Sequence, residues 1–94
     1  MYVVAHHTIV DPAKFGENAQ SLLRPPEGIQ LHAFLPNIDM TKATCLWEGP
    51  SREAVQHLLD NTLGTASQNV CYEVDTKQSL GLPAAPVPEA ILPA

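Results

Sequence analysis

Four histidines, ten carboxylates and two cysteines are the side chains of this 94-residue chain best suited to chemistry. Imidazole titrates near neutrality and can act as acid, base or metal ligand. His6 and His32 are the sharpest pair. On strands two steps apart and offset by two residues they stand roughly 11–12 Å from each other. A zinc–nitrogen bond is only about 2 Å, so the two rings do not share one ion. A metal would need a ligand from another subunit or from the C-terminal tail, and no metal site is assigned. His6 and His7 are adjacent on a strand and point to opposite faces. His7 is expected at the core edge and His57 on an exposed helix surface. Glu48 and Glu73 complete the catalytic candidates, because a carboxylate in a partly apolar cavity has a raised pKa and can serve as a general base. The plainer reading of both is a rim position or an inter-subunit ion pair. Cys45 and Cys71 fall on strands separated by a third, beyond disulfide reach. Cys45 reads as core packing. Cys71 reads as facing the open side, with no base or helix start to lower its pKa. No phosphate loop, dinucleotide fingerprint or nucleophile elbow is present, so no cofactor is expected.

Six elements must position these groups. Residues 2–8 are β-prone. Asp11-Pro12 is a helix start, with Phe15, Ala19, Leu22 and Leu23 at helical spacing until Arg24-Pro25-Pro26. Strands follow at 29–35 and 43–48, separated by a turn at Pro36-Asn37-Ile38-Asp39. Ser51 is an N-cap for a second helix bearing Val55, Leu58, Leu59 and Thr62, and Gly64 ends it. Residues 69–75 form the last strand. The order βαββαβ predicts an α+β, ferredoxin-like fold: an antiparallel sheet in the order 4-1-3-2 with both helices on one face.

The sheet register then sorts the side chains. Pairing Ala33 with Cys45 puts Leu31, Ala33, Leu35, Ala43, Cys45 and Trp47 under the helices, and a one-residue slip destroys that separation. Val3, Ala5, Val70, Tyr72 and Val74 are expected to join them. The open face is then Tyr2, Val4, His6, Gln30, His32, Phe34, Thr44, Leu46, Glu48, Cys71 and Glu73. Such a mixture is neither a solvated face nor a sealed core. It suits an interface around a small polar-lined cavity, with Tyr2, Phe34, Thr44, Leu46 and Cys71 as ligand-binding candidates beside His6, His32, Glu48 and Glu73.

The stretch Val10-Asp11-Pro12-Ala13-Lys14-Phe15, read with Cys45-Leu46-Trp47-Glu48 and the helix after Ser51, resembles the dimeric α+β-barrel superfamily. That group includes antibiotic-biosynthesis-type monooxygenases, muconolactone-isomerase-like and YCII-like proteins, and small domains similar to a nickel-responsive family. The resemblance covers about residues 1–76. It implies a homodimer whose two sheets pack face to face. It carries over no catalytic residue.

Composition bounds the rest. Ten acids against five bases give a net charge of −5, the wrong sign for a nucleic-acid binder. No apolar run approaches the ~20 residues of a membrane span, and the N-terminus lacks a basic signal region. A soluble, cytoplasmic protein is expected. Residues 1–80 form the domain. Residues 81–94 hold four of the nine prolines and read as a polyproline-like tail, either solvated or lying on a partner subunit. The leading expectation is a homodimer, joined through the open sheet face, that binds a small molecule there. The alternatives are a cofactor-free monooxygenase or isomerase using a His/Glu acid–base site, and a nickel- or zinc-responsive protein.

Overall fold

The computed structural model describes residues 1–83. Strand β1 (Tyr2–Ile9) leads to helix α1 (Pro12–Ala19). The Asp11 carboxylate accepts the Lys14 N–H at 3.1 Å, and Pro12 fills the first turn, where no donor is needed. A 3₁₀ turn (Gln20–Leu23) extends α1 before Pro25 and Pro26 stop it. Strands β2 (Gln30–Pro36) and β3 (Lys42–Glu48) flank a tight connection. There the Asn37 Oδ1 accepts the backbone N–H groups of Thr41 and Lys42, both at 2.9 Å. Helix α2 (Arg52–Leu63) is capped by Ser51, whose hydroxyl accepts the Ala54 N–H at 3.0 Å. It ends at Gly64, whose φ of 58° a side chain would oppose. Strand β4 (Ser67–Glu73) closes the domain.

The four strands pair antiparallel in the order β2-β3-β1-β4, the expected order read from the other edge. The fold is ferredoxin-like. Val3, Ala5 and Ile9 from β1 meet Trp47 and Cys45 from β3, Phe15 and Leu22 from the α1 region, and Val55, Leu59 and Leu63 from α2. Both helices thus bury one sheet face. No helix among the described residues is long and apolar enough to cross a membrane.

Two parts of the expected register are corrected. On the β2–β3 hairpin, Gln30 faces Glu48 and Leu31 faces Trp47 as expected, but a bulge then leaves His32 unpaired. Beyond it Ala33 faces Leu46 and Phe34 faces Cys45. One extra residue flips every later side chain. Phe34 therefore turns to the helix side and stacks on Phe15, with ring centroids 6.2 Å apart. Ala33 and Leu35 go to the open side with their partners Leu46 and Thr44.

On β4, Cys71 pairs with the buried Ala5 and is itself buried, so it lies beneath the helices and not on the open face. Val70 and Tyr72 take the open face, 64% and 48% exposed. Glu73 pairs with Val3, on the helix side of the sheet, at an exposed strand end. The cause is α2, which meets this edge strand with polar groups. The Gln56 side chain donates to the Asn69 carbonyl at 2.7 Å and accepts the Cys71 N–H at 3.0 Å.

After β4 the chain turns back over the open face. The Tyr2 hydroxyl donates to the Pro83 carbonyl at 2.7 Å. Residues 84–94, most of the expected tail, lie outside the described residues.

Candidate functional site

A half-open cavity lies between α1, its 3₁₀ turn and the sheet, and holds about 200 Å³. Phe15, Leu22, Leu31, Phe34 and Leu63 give it an apolar wall. Phe34 reaches that wall only because of the bulge at His32. Besides Gln20 of the 3₁₀ turn, three side chains of the sheet that carry polar atoms join the lining: His7, Cys45 and Trp47. All three point inward from the central strands β1 and β3 and are buried.

His7 and Cys45 belong to a directed chain of hydrogen bonds. The Asn69 amide donates to Asp60 Oδ1 at 3.1 Å, which fixes its oxygen toward Ser67 and His7. The Asn69 Oδ1 accepts from the Ser67 hydroxyl at 2.8 Å and from His7 Nδ1 at 2.7 Å. An amide oxygen only accepts, so the His7 proton sits on Nδ1 and Nε2 keeps its lone pair. The Cys45 thiol donates to that Nε2 across 3.2 Å. Burial holds the His7 pKa below its ordinary value against the opposing pull of Asn69, and the neighbouring His6 lowers it further. Burial, with a smaller contribution from Cys71, pushes the Cys45 thiol up to about 12. Both groups are therefore neutral at rest: a thiol hydrogen-bonded to an imidazole, with an amide behind it.

Trp47 adds a different feature. It is fully buried, and its Nε1–H has no hydrogen-bond partner among the described residues. An unmet buried donor costs about 1–3 kcal/mol.

The expected site residues on the open face fall into two groups. His6 Nδ1 is 3.1 Å from the Thr44 hydroxyl, and its ring lies 5.7 Å from that of Tyr72. At the other end His32 Nε2 meets Glu48 Oε1 at 2.8 Å, with the Tyr2 ring 5.5 Å from the His32 ring. Leu46, opposite Val4, lies between the groups. Leu46, Val4, Thr44 and Tyr72 line a shallow, open groove together with residues 78–82. Phe34 and Cys71 are absent from this face for the reasons given above, and Glu73 joins neither group.

His7, Asn69 and Phe15 were not among the expected site residues. The signal for His7 was present: Val3, Ala5, His7 and Ile9 alternate along β1, and an inward position continues the core stripe. Among the described residues no group of three or more His, Cys, Asp or Glu side chains is placed to hold a metal ion. No family model, curated protein or solved structure matches the chain, so the geometry alone carries the functional reading.

Proposed function

We propose that this protein binds a small, mainly apolar molecule carrying a hydrogen-bond acceptor, in the cavity between α1 and the sheet. The observation that carries this reading is a half-open, largely apolar cavity of about 200 Å³ whose lining includes Trp47, a buried side chain with an N–H that no group meets among the described residues. Ligand sites combine apolar walls with a few placed polar groups. Native cores are normally packed without such room. A volume of about 200 Å³ suits a single aromatic ring with a short carbonyl-bearing substituent. The ligand site thus moves from the open face, where the sequence suggested it, to the helix side. Titration with acetophenone tests the reading through the fluorescence of Trp47, the one tryptophan of the chain. A saturable change at one ligand per chain supports it, and a flat titration overturns it.

The open face has a separate role in this proposal: it joins two copies of the chain. Val70, Tyr72 and Leu35 are exposed there, 64%, 48% and 65% respectively, beside the half-buried Val4 and Leu46. A sheet face meant for water would be mostly polar.

A second reading rests on His32 and Glu48. Their 2.8 Å contact is an acid–base pair that can exchange a proton with a ligand on the open face. Replacing Glu48 with Gln would then abolish turnover while leaving acetophenone binding intact.

A further inference from the structure

A nucleophile and a base line the cavity beside a residue with an unmet N–H, and small-molecule binding alone does not need all three. Cys45 supplies the sulfur and His7 Nε2, 3.2 Å away, is a free acceptor for its proton. The Asn69 Oδ1 at 2.7 Å holds the imidazole in the tautomer that leaves Nε2 open, and would stabilise the imidazolium. Trp47 lies two residues from Cys45 on the same face of β3, roughly 6.8 Å along the strand.

We propose that Cys45 captures small α,β-unsaturated carbonyl compounds in this cavity by conjugate addition, with His7 as the base. The proposal rests on the cavity being the ligand site. As the sulfur–carbon bond forms at the β-carbon, the thiol proton passes to His7 Nε2. The alkene π pair shifts toward the carbonyl oxygen, where the Trp47 N–H meets the developing charge. The imidazolium then returns its proton to the α-carbon. The product is a thioether of the saturated carbonyl compound, and no oxidant or reductant is consumed. The thiol is protonated at rest, so proton transfer accompanies bond formation and no thiolate waits in the cavity.

Cys71 is the internal control. It is as buried as Cys45, 6% against 5% exposed, and no hydrogen bond joins its thiol to an imidazole among the described residues. The probe is N-ethylmaleimide, with its saturated analogue N-ethylsuccinimide as a non-reacting competitor. Labelling is followed by intact mass and peptide mapping. The expected result is a single adduct on Cys45, slowed by the competitor, while Cys71 stays free. Replacing His7 with Gln slows capture by about 10²-fold, the lower end of general-base effects. Trp47→Phe, which keeps an aromatic ring in place, slows capture by roughly 10²-fold through loss of the oxyanion donor. Its capture of methyl methanethiosulfonate, a thiol reagent without a carbonyl, is slowed far less. Equal labelling of Cys45 and Cys71 overturns the proposal, because both thiols are then reached only when the chain opens. Rates unaffected by either substitution also overturn it. If N-ethylsuccinimide perturbs Trp47 fluorescence but Cys45 is not labelled, the thiol chemistry fails and the binding cavity stands. If neither compound has any effect, both fail.

Discussion

Replacing Ala19 with leucine separates a real cavity from a packing gap that closes in solution. Ala19 is the last residue of α1, half-buried, and lines the cavity. Leucine adds three carbons. At about 0.8 kcal/mol for each buried carbon the gain reaches ~2.4 kcal/mol. Fixing the new side chain returns roughly 0.5–1 kcal/mol. The net stabilisation is then about 1.5 kcal/mol. In a domain of this size that raises the melting temperature by roughly 6–12 °C. The same side chain occupies the ligand's volume, so acetophenone binding is lost. Stability and binding thus move in opposite directions, which a merely structural role of α1 does not produce. Scanning calorimetry gives the first quantity and Trp47 fluorescence titration the second. If no space existed, overpacking would cost about 1–3 kcal/mol instead. A lowered melting temperature with binding intact would refute the assignment of this cavity.

Further outcomes follow from the same structure. Because burial lowers the His7 pKa below 6.5, folding excludes its proton, and stability falls as pH drops from about 6.5 toward the folded-state value. The two thiols behave oppositely: raised from 9.0 to about 12 and about 11, they cost stability as pH climbs above 9.0. Urea unfolding across pH should therefore show a plateau between these limits, with a shallower acid slope in His7→Gln. Val70→Glu places a charge on the open face at a position the single chain leaves exposed, so sedimentation velocity should report a monomer, with a melting temperature lowered only by the lost association. An unchanged dimer would put the interface elsewhere. Tyr2→Phe removes the hydroxyl bond to Pro83, worth about 1 kcal/mol. Tryptic cleavage after Lys77 should then accelerate several-fold, with little change in global unfolding.

The sequence showed the fold through features that act locally. Asp11 and Ser51 are side chains that satisfy helix N–H groups three residues on, and both do so. The inward stripe Ala43, Cys45 and Trp47 on β3 is an alternation that only one facing preserves, and all three are buried. The site was less legible because it depends on departures from alternation. The bulge at His32 is one unpaired residue between two regular segments, and no period marks it. It alone moves Phe34 from one face to the other. On β4 both faces carry apolar residues, so hydrophobicity did not choose between Cys71 and Tyr72. The choice came from Gln56 and Asp60 on α2, which bond the Asn69 side of the strand. That polar cover also orients Asn69, and through it His7.

The most direct test of the central claim uses the indole N–H of Trp47, which gives one resonance in a ¹⁵N-correlated spectrum because the chain has one tryptophan. Acetophenone should move it downfield saturably as the carbonyl accepts the orphan hydrogen bond. Ethylbenzene, with no oxygen, should compete for the cavity without that shift. An indole resonance indifferent to acetophenone at concentrations that perturb other parts of the chain would contradict the account.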